Sequence, residues 1–221
     1  MKTKVLIPVR AGSQRVKNKN IKPFAGSNLL EIKIQQMKNI CGIDGVIVNS
    51  NSDEMLEIAK NLGAQTIKRD EYFATSSVSM NEVYKNMAQN CDCDIIVFAD
   101  ATNPLIANET IEECLKFYFK NRNEYDSLTT VNDIKQFMWQ DGMPINYDKN
   151  KKPRSQDLPD IVALNHALSV IPRDLMIEKQ DIIGEKPYLY KINSLEAIDI
   201  DTELDFEFAE YLYKKYRLQL G

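Results

Sequence analysis

Short β-branched apolar runs alternate with stretches of helical spacing from the N-terminus to about residue 131. The runs at 5–9, 45–49, 95–99 and 127–131 predict strands, with a weaker candidate at 65–68. Between them, apolar residues recur with the helical period at 29–39, 53–62, 80–89 and 109–121. Strands separated by helices of this length form βαβ crossovers and a mostly parallel sheet. Val5-Leu6-Ile7 and Ile95-Ile96-Val97-Phe98 are apolar at every position, as strands covered by helices on both faces must be.

Beyond Val131 the texture changes. Asp141-Gly142 lies between apolar flanks within 137–146, a hairpin signal. Residues 146–160 are polar, basic and contain proline, which predicts a loop or excursion from the sheet, and 161–171 and 187–192 return to it as strands. A last helix is predicted over 202–218, capped by Asp201 or Thr202, with Glu203 and Asp205 suited to its N-terminal dipole. The pattern predicts one α/β domain over 1–221 with a small arm at about 132–160.

Composition narrows the function classes. The 221 residues carry 28 Lys+Arg against 32 Asp+Glu, a net charge of −4 that argues against a general nucleic-acid binder. No apolar run approaches the roughly 20 residues that cross a bilayer, so no membrane partner is expected. The only apolar stretch before Arg10 is five residues long, too short for a signal-peptide core, and the chain is expected in the cytosol. Four cysteines make no disulfide framework at this length, and Cys91 and Cys93 lack CxxC spacing. With His166 as the single histidine, a zinc site would need scattered thiols.

The chemistry is concentrated after the first strand. Arg10, Arg15, Lys17, Lys19 and Lys22 gather positive charge around Gly12 and Ser13, whose backbone N–H groups are open to phosphate oxygens. In open α/β sheets ligands bind beyond the carboxyl ends of strands, where this loop begins. The alternative is a solvated basic loop. Neither GxxxxGK[ST] nor GxGxxG is present, which excludes the P-loop and dinucleotide fingerprints. A second cluster lies at Asp199-Ile200-Asp201: in extended backbone both carboxylates face one side and Ile200 the core. Two hard oxygen ligands suit Mg²⁺, although Asp201 also reads as a helix cap. Asp100 follows the strand at 95–99 and belongs at the same sheet edge as the basic loop.

These residues resemble the acylneuraminate cytidylyltransferases. Arg10-Ala11-Gly12-Ser13, then Lys19-Asn20 and Ile21-Lys22-Pro23-Phe24-Ala25-Gly26, carry the first block. Lys68-Arg69-Asp70-Glu71-Tyr72-Phe73-Ala74 with Ser76 and Ser77, and Thr102-Asn103-Pro104-Leu105, follow in order. Then come Arg154-Ser155-Gln156-Asp157-Leu158-Pro159, Asn165, and Ile198-Asp199-Ile200-Asp201-Thr202-Glu203-Leu204-Asp205. The resemblance spans nearly the whole chain. It implies a three-layer, Rossmann-like nucleotidyltransferase fold, α/β with a mostly parallel sheet and a small dimerisation arm. It implies transfer of CMP from CTP to an anionic, sialic-acid-like acceptor, giving an activated sugar for surface glycans, with Mg²⁺ or Mn²⁺ held by Asp199 and Asp201. Arg10 and Lys19 would contact the phosphates, with Lys19 stabilising the transition state; Ala11, Gly12 and Ser13 would form the phosphate loop. Asn20, Arg69, Ser77 and Asp100 fall to the nucleotide, and Arg154, Gln156, Asn165 and His166 to the acceptor. In relatives the arm completes a neighbour's acceptor site, which implies a homodimer, with Phe137, Met138 and Trp139 offering an apolar surface.

The sequence departs from the pattern in places. Asp100 stands where the family usually has Gln, Gln14 where it has Lys, Ile106 where it has Arg, and His166 where it has Gly. These changes fall mostly around the expected acceptor side. A smaller acid, a phosphorylated or a phosphonate acceptor is the close rival. A GT-A type glycosyltransferase or a catalytically dead nucleotide sensor is more distant, since D-x-D here precedes the final helix and Lys19 is present.

Overall fold

Val5, Leu6 and Ile7 are wholly buried although alternate side chains leave opposite faces of their strand. That is possible only at the centre of a sheet sandwiched by helices, and the computed structural model shows such a fold; it describes residues 1–13 and 15–217. Gln14, and Leu218 at the end of the predicted last helix, lie outside the described residues.

The chain runs through β1 (Thr3–Pro8), a small ribbon of β2 (Pro23–Phe24) and β3 (Ser27–Asn28), α1 (Leu29–Lys38), β4 (Gly45–Ser50), α2 (Asp53–Asn61) and β5 (Gln65–Lys68). It continues through α3 (Met80–Gln89), β6 (Ile95–Phe98), α4 (Asn108–Asn121), β7 (Ser127–Ile134), β8 (Trp139–Gln140) and β9 (Met143–Pro144). The last elements are β10 (Ile161–Pro172), α5 (Arg173–Lys179), β11 (Pro187–Lys191) and α6 (Glu203–Tyr216). Seven strands form one sheet in the order β11-β7-β10-β6-β1-β4-β5. β1 pairs in parallel with β4 and β6, Val5 lying opposite Val46 and Val97, and only β10 runs against its two neighbours. One face is covered by α1, α2, α4 and α6, the other by α3 and α5, giving three layers.

Local chemistry explains most boundaries. Asn28 and Ser52 cap α1 and α2, and Thr202 closes a capping box on α6: Thr202 Oγ1 accepts from Asp205 N at 3.2 Å while Asp205 Oδ2 accepts from Thr202 N at 2.7 Å. α3 is capped by Ser79, which accepts from Glu82 N, rather than by Ser76 or Ser77. Asp141 (φ 49°) and Gly142 (φ 79°) make the tight turn between β8 and β9, as the Asp-Gly pair requires. The pattern missed α5, which follows β10 directly and whose seven residues are too short a window for a helical period. It also missed the two-residue strands β2 and β3.

β10 carries the main irregularity. Its pairing with β7 jumps between Leu164 and Ser169, leaving residues 165–168 as a bulge. Asn165 Oδ1 accepts from Thr130 Oγ1 at 2.7 Å and from Ala167 N at 3.2 Å, and Leu168 N donates to Thr130 Oγ1 at 3.0 Å. His166 sits in the left-handed region at φ 56°, where a Cβ is unfavourable. Among the described residues no helix is long and apolar enough to cross a membrane, and all four cysteines are free.

Candidate active site

The carboxyl ends of β1, β5 and β6 open onto a cleft of about 450 Å³. Arg10, Lys19, Asn20, Arg69 and Asp100 supply its polar wall; Phe73, Val83, Tyr84, Met87 and Phe98 supply an apolar one. Tyr84 and Phe98 meet edge to face, ring centroids 5.6 Å apart, which stiffens the apolar side. A cleft with cations on one wall and flat apolar rings on the other suits a heterocycle carrying phosphates.

The two charge clusters of the sequence meet here although some 180 residues separate them. Lys19 Nζ donates to Ile200 O and lies 3.8 Å from Asp201 Oδ1, while Arg15 pairs with the same oxygen at 2.8 Å. Ile200 is wholly buried; the Asp201 side chain beside it is open to solvent, whereas the Asp199 carboxylate is partly buried. Burial pushes the Asp199 carboxyl up, with the Asp201 charge adding to it, while Thr102, Lys19 and His166 pull it back. Asp199 Oδ1 is buried and has no hydrogen-bond partner, an orphaned oxygen that fits a cation. Among the described residues no three His, Cys, Asp or Glu side chains converge as a metal site. Burial, and then the neighbouring Asp199 charge, pushes Asp100 up to about 7 against the pull of Lys33 and Lys19.

Other predicted residues are placed less simply. Ala11 and Gly12 are exposed and Ser13 half-buried; Ala11 N is tied to Asn51 Oδ1 at 3.0 Å, and Gly12 takes φ 82°. Arg10 crosses to Ala74 O at 3.0 Å and fastens the loop after β5. Arg69 lines the cleft but is buried, donating to Asn49 Oδ1 at 2.6 Å and Asn49 O at 3.0 Å; burial and the Arg10 charge lower it to about 10. Ser77 is exposed and bonded to Thr75 at 3.0 Å; Thr75 and Ser76, not Ser77, line the cleft.

The residues expected at the acceptor do not line this cleft. Arg154 is exposed and held by Asp157 at 2.7 Å, and neither Arg154 nor Gln156 lines the cleft. Asn165 spends its side-chain oxygen on the bulge, so its first role is structural. His166 lies near enough to influence Asp199. Ile106 is a core residue, 1 % exposed, so its departure from the family pattern lies in packing and not at the acceptor.

Residues 4–219 match the family model described as "Cytidylyltransferase". The chain belongs to the cytidylyltransferase family. As a cytidylyltransferase it is similar to the pseudaminic acid cytidylyltransferase of Campylobacter jejuni, 26% identical over 231 residues covering 97% of each chain. It is also similar to the N-acylneuraminate cytidylyltransferase of Oncorhynchus mykiss, 27% identical over 214 residues, 93% of this chain and 49% of that one. Among solved structures, CMP:2-keto-3-deoxy-manno-octonic acid synthetase complexed with CTP superposes with a TM-score of 0.72 at 14% identity, covering 97% of this chain and 99% of that chain. That likeness establishes the nucleotidyltransferase fold.

Two parts of this cytidylyltransferase's site escaped the sequence reading: the apolar wall from α3 and the residues beneath Asp100. Lys33 was legible as an anomaly, since it stands on the same helical face as Leu29, Leu30 and Met37 yet is charged.

Proposed function

We propose that this enzyme transfers CMP from CTP to the hydroxyl of an anionic acceptor, a nonulosonic acid of the sialic or pseudaminic type, and supplies activated sugar for surface glycans. The observation that carries this reading is the meeting of Lys19 with residues 199–201 beside a cleft walled by Arg10 and Arg69. The acceptor oxygen attacks the α-phosphorus, a new P–O bond forms, the bond to the bridging oxygen breaks, and pyrophosphate leaves as the hydroxyl proton passes to solvent. Lys19 and Arg10 face the charge that grows on the phosphate oxygens, and the apolar wall with Phe73 and Tyr84 holds the base. No covalent nucleophile is required; positioning and charge neutralisation do the chemistry.

Asp199 and Asp201 would hold Mg²⁺ or Mn²⁺, which neutralises phosphate charge when bound. The orphaned Asp199 oxygen supports this assignment. His166 and Asn165 border the acceptor from the β10 bulge, and Arg154 and Gln156 approach it from a second copy of the chain. The exposed Trp139, Met143 and Ile145 on the β8–β9 hairpin supply the apolar surface for that homodimer. A CTP-dependent reaction of this kind fits a cytosolic protein.

The test is pyrophosphate release from CTP with a panel of nonulosonic acids, other sugar acids and phosphorylated acceptors, with and without a chelator. Release with a nonulosonic acid, abolished by chelation and restored by Mg²⁺, is expected. Turnover only with phosphorylated acceptors would move the assignment to the rival class, and full activity under chelation would remove the metal.

A further inference from the structure

Lys33 is wholly buried in α1, and nothing in the chemistry above uses it. A methionine would fill the same space with no charge to desolvate, so an ammonium there needs a reason. Its partners supply one. Lys33 Nζ donates to Asn103 O at 2.9 Å and to Gln36 Oε1 at 3.0 Å; burial lowers its pKa to about 7 against the pull of Asp100, so the ammonium form prevails below that pH, where the assays are run. Asn103, itself buried, spends its amide on two further segments, Nδ2 donating to Asn165 O and to Ile198 O, both at 3.1 Å. Thr102 O accepts from Ile200 N at 3.0 Å. Gln36 holds the far end of the same loop through Ile106 O at 2.7 Å and Asn108 Oδ1 at 3.1 Å. The loop at 100–106 is thus tied to helix α1 beneath it, to the β10 bulge on one side and to the acidic segment on the other. Its hold on α1 at Asn103 runs through Lys33, and at its far end through Gln36.

We propose that Lys33 is a positioning residue for cytidylyl transfer: its ammonium clasps the Asn103 carbonyl and thereby sets Asp100, the 198–201 segment and the 165–168 bulge against one another. Hydrogen bonds from an ammonium are stronger than neutral ones, and inside the protein the difference grows. Without Lys33, Asn103 O loses its donor, and the three segments keep their mutual bonds but are seated on α1 only at the far end of the loop, through Gln36. The consequence falls on the geometry of attack, not on nucleotide affinity, because Lys33 does not line the cleft. This inference rests on the reading of those segments as the reacting site.

The experiment pairs kinetics with amide exchange on Lys33→Met. Pyrophosphate release should fall about tenfold or more in kcat while the KM for CTP stays within about threefold, the signature of lost positioning. The melting temperature does not discriminate, because relief from burying an ammonium is offset by the Asn103 carbonyl left without a donor; exchange should quicken at 101–103, 105–106 and 198–200. A merely structural lysine would leave kcat of the folded fraction intact. Unchanged kcat and exchange in a folded variant overturn the inference. Should Lys33→Met fail to fold, Lys33→Gln, which removes the charge and keeps a neutral donor, must show the same split on a smaller scale; unchanged kcat and exchange there overturn it equally. If the wild-type protein releases no pyrophosphate with any acceptor, the functional reading fails, and the exchange comparison alone decides for or against Lys33.

Discussion

Lys19 joins the two ends of the chain: its ammonium reaches Ile200 O while its neighbours Arg10 and Asn20 line the cleft. Lys19→Ala should lower kcat by about 10²–10³-fold, the range for removing one transition-state donor, and steady-state assays with CTP check it. A change below about threefold would leave Lys19 as a tether for the 199–201 segment. Asp100 offers a pH signature. Its folded pKa of about 7 lies above the model-peptide 3.8, so its contribution to stability is complete at low pH and is lost as pH rises through 7. Asp100→Asn has no such loss; urea melts should show the variant gaining on the wild-type protein from pH 4 to about 7 and holding level above. A gap independent of pH would mean that Asp100 does not titrate with the fold. His166 pays a left-handed backbone cost that glycine avoids. His166→Gly should therefore keep or raise the melting temperature while raising the KM of the native acceptor or widening the acceptor range; unaltered acceptor kinetics would make the ring structural.

At the scale of elements, caps and turns were legible because their chemistry is local. Thr202 and Asp205 are three residues apart, and the box they form needs only that spacing. Thr202→Ala should cost about 1 kcal/mol, about 2–4 °C in melting temperature for a chain of this size. Calorimetry reads this directly, and an unchanged melting temperature would show that packing of Phe206 and Ala209 alone holds the helix start. The hairpin turn at Asp141-Gly142 was equally readable, because few residue pairs accept two positive φ angles in succession. The start of α3 is less readable, because three serines, Ser76, Ser77 and Ser79, offer the same hydroxyl and only Ser79 caps it. Which one meets a free N–H depends on where the helix packs against the sheet.

At the scale of the molecule, the hairpin leaves Trp139 49% exposed beside Met143 and Ile145, while Arg154 and Gln156 stand outside the cleft. Both facts have one resolution if a second copy covers the arm and the acceptor residues work across the interface. Light scattering at micromolar concentration should give twice the chain mass, and Trp139→Asp should shift it toward monomer with a loss of acceptor turnover. A monomeric wild-type protein would reject the dimer and leave the acceptor residues without a site.

The succession of apolar runs and helical stretches by itself determined the seven strands of the main sheet, most helices and the α/β class, because each depends on residues within a few positions of one another. The ordered motifs determined the family for the same reason: each block is short and local. Only the tertiary structure decided which groups meet. Lys33 touches Asn103 across 70 positions and Asn103 touches Ile198 across 95, and no spacing rule spans such distances. The sheet order places β10 between β6 and β7, which brings its bulge beside the loop after β6 and the acidic segment beside both. It also buried Ile106 in the core and left Arg154 exposed and paired with Asp157. Motif order records the residues available; strand order and burial determine which of them share a solvent-shielded space where charge acts strongly.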